Sequence, residues 1–265
     1  MPATENMEAD DFGGRLIALE GGRNFRDLGG YPTRDGRRVR WGRLFRSGSM
    51  AGLTQADWAR LCELGVRTVC DLRTSIEREA EPFAWRDSDG LHYFARDYET
   101  SFGELRQVMA SDFPTGEQAR NGMIAGYREL PFEQAPAYRV MFGHLKANAV
   151  PLIVNCTAGK DRAGTAAALM LSALGVPREI VVEDFLLTNR TVDLFGVFSR
   201  QPETSHGIGQ LQPDVARAIL AADAAYIGAA LDALDERHGS VEGFLDEVIE
   251  VRPHELSAIR DALLE

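Results

Sequence analysis

No stretch of this 265-residue chain approaches the roughly 20 consecutive apolar residues that a membrane span needs, so stable membrane insertion is not expected. Cysteine is scarce. Cys62, Cys70 and Cys156 are the only three, and an odd count without paired spacing argues against a disulfide framework and against a zinc site. Lysine is scarcer still, with Lys146 and Lys160 alone, so nearly all basic charge is arginine. The formal net charge of −11 sets the chain as a whole against nucleic acid and anionic membrane. Internal repeats and low-complexity segments are missing. The N-terminus from Met1 to Asp11 is acidic and lacks the basic and apolar segments of a secretory signal. The cytoplasm is therefore the expected compartment, with export lacking a classical signal as the alternative.

What remains is an ordinary globular composition, 45% hydrophobic and 26% charged. Residues 1–14 read as a flexible tail, and residues 15–265 as a single domain. A turn-rich section through Gly29-Gly30 and Asp35-Gly36 suits short strands. Six arginines between Arg34 and Arg46 read either as a solvated hairpin or as a basic rim for an anionic substrate. Leu53–Leu64 reads as a helix with Thr54 as N-cap and Gly65 as its stop. Val66–Leu72 and Pro151–Asn155 read as buried strands, and Ala163–Leu174 and Pro177–Thr188 as helices. Gln134–Ala147 has helical spacing, as does the stretch from Val215 to Tyr226. The segments Thr100–Asn121 and Asn189–Pro213 are weakly patterned, and each reads as a connection or a flap. Strands alternating with helices predict an α/β fold, a central mostly parallel sheet flanked by helices, finished by a helical C-terminal part.

The segment with chemistry in it is Asn155-Cys156-Thr157-Ala158-Gly159-Lys160-Asp161-Arg162-Ala163-Gly164, between an apolar strand and a helix. A loop closing from a strand end onto a helix N-terminus aims successive backbone N–H groups at one point, a nest for phosphoryl oxygens. Gly159 lets the backbone turn without a side-chain clash. Arg162 can fork two N–H groups onto the same phosphate. That positive field favours a thiolate at Cys156, which makes it a nucleophile.

Such chemistry needs an acid for the leaving oxygen and then a base for water. Asp161 is the nearest carboxylate in sequence, and Asp71, at a strand end, is the second candidate. Asp97 is a third, in the first flap. Asp71 could instead only fix its strand end through a salt bridge to Arg73 or Arg67. Lys160 reads as a point charge for a second phosphate or a substrate carboxylate, or else as a solvated loop residue.

At these residues the chain resembles the bacterial atypical tyrosine/serine protein phosphatases, from about Gly22 to Leu264. The marks are Asn24-Phe25-Arg26-Asp27-Leu28-Gly29-Gly30, Arg46-Ser47-Gly48, Asp71-Leu72-Arg73, the Cys156 loop, and Asp184-Phe185-Leu186-Leu187-Thr188-Asn189. The resemblance implies a cysteine-phosphatase-like fold with a helical lid, Cys156 as nucleophile and Arg162 as phosphate clamp. It also implies a cradle running from Thr157 through Ala158, Gly159 and Lys160 to Asp161, and no metal or cofactor. Phosphotyrosine or phosphoserine/threonine proteins and phosphoinositides are the implied substrates, with inorganic phosphate as product at the loop. Absence of the usual mobile acid loop in the family favours Asp161. Two departures from the family pattern stand out. Asn155 replaces the usual histidine before the cysteine, and Ala163 the usual hydroxyl residue after the arginine; both imply a less activated thiol. The alternatives are therefore a weak or inactive phosphate-binding pseudo-phosphatase, or a sulfurtransferase or arsenate reductase in which Cys70 would approach Cys156.

Overall fold

The computed structural model describes residues 12–98, 110, 114–199 and 211–265. Among them five short strands form one sheet: β1 (Arg26–Asp27), β2 (Leu44–Ser47), β3 (Thr68–Asp71), β4 (His92–Ala95) and β5 (Leu152–Asn155). Their spatial order is β1-β2-β5-β3-β4, with β1 antiparallel at one edge and the other four parallel. The mostly parallel α/β sheet expected from the sequence is thus the observed one. Its register sets Ser47, Asn155 and Asp71 side by side at the carboxyl ends of β2, β5 and β3. Sites in open α/β sheets lie at such ends.

The central strand β5 is apolar up to its last residue, Asn155, because both of its faces are covered. Leu152 and Val154 join Leu44 and Cys70 in the larger core, while Ile153 joins Phe45 and Val69 in a second core on the opposite face. The second core is rich in aromatics: Phe25 stacks on Phe45 at 5.3 Å and Trp58 on Trp85 at 5.6 Å. It is closed by α1 (Gln55–Glu63), which Thr54 caps together with Asp57.

The larger core lies under α3 (Gly116–Glu133), α4 (Ala135–Lys146) and α5 (Arg162–Ala173). Almost every residue of α5 is buried, and its run of alanines lets neighbouring elements approach it on all sides. Around it pack α6 (Arg178–Leu186), α10 (Ala224–His238), α11 (Val241–Glu247) and α12 (Pro253–Leu263). Shorter helices complete the description: α2 (Ser75–Ala80), α7 (Thr188–Thr191), α8 (Leu194–Ser199) and α9 (Pro213–Leu220).

Several expectations change. The first flap, Thr100–Asn121, falls largely outside the described residues, and its end belongs to α3, which Thr115 caps with Gln118. The second, Asn189–Pro213, contains most of α7 and all of α8, and residues 200–210 within it also lie outside, as does most of the tail at 1–14. The helical stretch from Val215 to Tyr226 is broken after Leu220, where Asn189 bonds both the carbonyl and the N–H of Ala222 and Asp223 caps α10. The arginine hairpin is real but is bound to its own chain. Arg37 pairs with Asp35 and Asp261, Arg40 donates to the Leu264 carbonyl, and Arg46 is fully buried. Arg34, Arg38 and Arg40 are exposed, as in a solvated hairpin, whereas the buried Arg46 fits neither reading of this segment.

Candidate active site

The loop after β5 is held from behind by backbone and amide contacts. The Asn24 amide donates to the Ala158 carbonyl at 3.2 Å, Arg46 to the Gly159 carbonyl at 2.7 Å, and the Ser49 N–H to the Thr157 carbonyl at 2.9 Å. Gly159 has φ +73, and a Cβ there would lie 2.7 Å from the Gly48 nitrogen and 2.8 Å from the Ser47 carbonyl carbon. Both the left-handed backbone and the close approach to β2 require glycine. With the carbonyls turned back into the protein, the N–H groups from Thr157 to Asp161 have no acceptor among the described residues. Most of this loop is buried, and buried N–H groups without acceptors are rare in native structures. Such a set of N–H groups, opening onto the N-terminus of α5, is the arrangement that a bound anion requires.

The anchors themselves are tied to a buried ionic cluster. Arg46 donates to the Asp184 carboxylate at 2.5 Å, Arg26 reaches the same oxygen at 3.7 Å, and the Tyr31 hydroxyl donates to its other oxygen at 3.1 Å. Arg26 also donates to Asn24, to Thr191 and to the Asp184 carbonyl. Burial would raise the Asp184 carboxyl, but the charges of Arg46 and then Arg26 outweigh it and hold it below the ordinary range. Burial, reinforced by repulsion from Arg46, brings the Arg26 guanidinium down to about 10. Three segments distant in sequence, around Asn24, Arg46 and Asp184, therefore meet to shape one loop.

Arg162 starts α5 and turns its guanidinium onto Glu77 of α2, at 2.6 and 2.7 Å, and onto the Leu72 carbonyl at 3.1 Å. Glu77 accepts as well from Thr157 and from the Thr74 N–H. Burial would raise the Glu77 carboxyl, yet the Arg162 charge and these hydrogen bonds hold it far below the ordinary glutamate value. Among the described residues the Arg162 Nε–H is uncommitted. Glu77 was not foreseen from the sequence. Thr74-x-x-Glu77 is a capping-box pattern that could have revealed α2, but nothing local announces the partner in α5.

The candidate acids separate clearly. Asp161 is part-exposed beside the loop and accepts from the Tyr127 hydroxyl at 2.7 Å, with Lys160 at 3.3 Å. Asp71 is buried and committed, accepting from Arg73 through Nε and Nη2 and from the Tyr93 hydroxyl at 2.8 Å. That is the strand-end salt bridge anticipated as its other role. Asp97 is exposed, paired with Arg78 and Ser75. The Lys160 ammonium is turned away, buried against the carbonyls of Ile219 and Ala221 at the end of α9. A helix C-terminus attracts a cation, so the Lys160 side chain joins the loop to α9. Cys70 and Cys156 are both free; burial pushes the Cys70 thiol up to about 12.

A model of the tyrosine phosphatase family matches residues 17–265. Over 235 residues the chain is 33% identical to a Cupriavidus necator protein provisionally named a tyrosine-protein phosphatase, covering 86% of this chain and 82% of that one. It is 30% identical over 258 residues to the triple specificity protein phosphatase PtpB of Mycobacterium tuberculosis, covering 86% of this chain and 91% of the relative. A tyrosine-protein phosphatase of Nostoc commune is 28% identical over 214 residues, 77% of this chain and 68% of its own length.

Proposed function

The chain belongs to the tyrosine phosphatase family, and from that premise we propose that Cys156 is its nucleophile, Arg162 its phosphate clamp and Asp161 its general acid and base. It is a cysteine-dependent protein tyrosine phosphatase, a phosphoric monoester hydrolase. The observation that carries the site assignment is the set of N–H groups from Thr157 to Asp161 that have no acceptor among the described residues, beside a buried cysteine. The Cys156 thiolate attacks phosphorus as the phosphorus–oxygen bond breaks, and Asp161 protonates the departing phenolate. Water then attacks the phosphocysteine, giving its proton to the Asp161 carboxylate, and phosphate leaves as the thiolate is regenerated. The loop N–H groups and Arg162 face the charge on the equatorial oxygens throughout. Glu77 positions Arg162, and Tyr127 positions Asp161. Asp71 has no part in this scheme because Arg73 and Tyr93 occupy it.

Phosphotyrosine proteins are the first proposed substrates, with phosphoserine/threonine and phosphoinositides second; a relative named a triple specificity phosphatase supports more than one substrate class. Residues 15–265 act as one phosphatase domain in this reading, in keeping with a family match over 17–265. Among the described residues no helix is long and apolar enough to cross a membrane. Three free cysteines suit a reducing compartment, and we assign the activity to the cytoplasm.

Phosphate release from a phosphotyrosine peptide, without added metal, is the direct test. Asp161→Asn adds a sharper one. It should lower kcat about 100-fold or more for a phenolic leaving group of tyrosine-like basicity, and far less for a strongly acidic phenol that departs unprotonated. Equal losses on both would remove Asp161 from the acid role. Asn155 and Ala163 favour the second reading, a phosphate-binding protein without turnover, which predicts tight phosphopeptide binding and no release.

Glu77→Gln tests the clamp. Losing the charged partner of Arg162 should reduce kcat/KM about 10- to 100-fold, the range of a charge-assisted hydrogen bond. A depressed carboxyl gives stability above its unfolded value, about 4.3, that is lost as pH falls through the folded value. The variant's stability should therefore fall less steeply below about pH 4 than the wild type's, as read by urea unfolding across that range.

A further inference from the structure

Two tyrosines reach the Cys156 end of the sheet from the helical side, Tyr127 of α3 and Tyr138 of α4, and both are fully buried. The Tyr127 hydroxyl is used, donating to Asp161. The Tyr138 hydroxyl has no hydrogen-bond partner among the described residues, although its oxygen is inaccessible to solvent. A buried phenol left in that state is costly, and native interiors keep such a group where it has a task. Its electrostatic neighbours are Tyr98, Cys156, Arg162 and Arg96.

Strand alternation separates Tyr138 from the nearest other candidate. Val154, Cys156, Cys70 and Tyr138 belong to the larger core, whereas Ile153 faces the opposite one. Asn155 follows Ile153 by two, so its amide lies on that opposite face. There both its oxygen and nitrogen are buried without a partner among the described residues. Ala163 brings no hydroxyl. The side chains of Arg162 from its own loop, Tyr127 from α3 and Tyr138 from α4 each interact electrostatically with Cys156. The Arg162 Nη groups are held by Glu77 and the Tyr127 hydroxyl by Asp161. Apart from the Arg162 Nε–H and the loop N–H groups, which the phosphate takes in the proposed reading, the Tyr138 O–H is the uncommitted donor among these side chains. Burial pushes the Tyr138 phenol well above its ordinary value, so it remains a neutral donor.

We propose that Tyr138 is a positioning residue that gives its hydroxyl hydrogen bond to the Cys156 thiolate, in the resting enzyme and as sulfur departs from the phosphocysteine. The inference rests on the assignment of Cys156 as nucleophile. A neutral thiol is a weak acceptor, and Tyr138 and Cys156 share no hydrogen bond in this structure; the thiolate is the stronger acceptor that draws the O–H in. No proton is transferred. The bond supplies what the histidine and hydroxyl positions, occupied by Asn155 and Ala163, do not.

Tyr138→Phe removes a single oxygen. The pH at which half of Cys156 is alkylated by iodoacetamide, followed on its own peptide so that Cys62 does not interfere, should rise by about one unit. That is tenfold less thiolate at a fixed pH below the midpoint. kcat should fall while KM for a phosphotyrosine peptide is nearly unchanged. Difluorotyrosine at position 138, a stronger donor, should move the alkylation midpoint the other way. An unchanged midpoint in the Phe variant overturns the proposal whatever happens to its melting temperature. Should that variant not fold, an unchanged midpoint in the fluorinated protein overturns it equally. Alkylation needs no turnover. A wild type that releases no phosphate but shows a Tyr138-dependent midpoint would refute the catalytic reading and the departure role with it, leaving only the hydrogen bond to the resting thiolate.

Discussion

Cys156→Ser is expected to reduce phosphate release from a phosphotyrosine peptide on the order of 10⁵-fold or more while preserving phosphopeptide binding. The substitution exchanges sulfur for oxygen at a buried position and leaves the loop backbone, Arg162 and Glu77 in place. The binding site is therefore intact, and what disappears is the proposed sulfur nucleophile. Release measured by single-turnover assay, with affinity from calorimetry on the same sample, separates the two effects. Residual turnover above about 1% of the wild type would mean that another group attacks phosphorus. Parallel loss of binding would instead locate the effect in the cradle.

Asp184→Asn is expected to cost about 3–5 kcal/mol of stability, because it removes the only carboxylate shared by two fully buried guanidinium groups among the described residues. For a domain whose total is about 5–15 kcal/mol, that loss places the variant close to unfolding. The asparagine keeps the shape and one hydrogen bond but not the charge, so Arg26 and Arg46 are left buried and mutually repulsive. Chemical denaturation would show a lowered midpoint with an unchanged slope. Activity should fall even where the variant remains folded, since Arg46 also fixes the Gly159 carbonyl. A variant as stable as the wild type would show that the cluster is neutralised some other way.

The loop and its candidate nucleophile were legible because their signals are local. An apolar strand of three residues, a glycine at the only tight bend and a run of helix formers lie next to one another in sequence. The same holds for α1, whose Thr54 and Asp57 cap it within one turn. Partnerships across the chain were not legible. Lys160, two residues before Arg162, reads as a charge offered to substrate, but the end of α9 lies 59 residues away in sequence and takes the ammonium. Glu77 is 85 residues from Arg162, and its role appears only when α2 and α5 are placed side by side. Asp71 has its arginine within two residues, so the structural alternative was visible, though Tyr93 was not. The motifs around Asn24, Arg46 and Asp184 were recognised as family marks without a physical role. Folding gives them one, as a scaffold behind the loop.

That scaffold also bears on how the protein acquires its activity. The contacts fixing the loop join residues separated by 134, 113 and 138 positions, so most of the chain must collapse before they can close. The anion site is then among the late products of folding, and compact intermediates lacking these contacts have no site to offer. In the proposed reading a bound phosphate would select the fully assembled state alone, and by mass action would add to its stability. In a cell that holds abundant phosphate, the product of the reaction would help keep its catalyst folded.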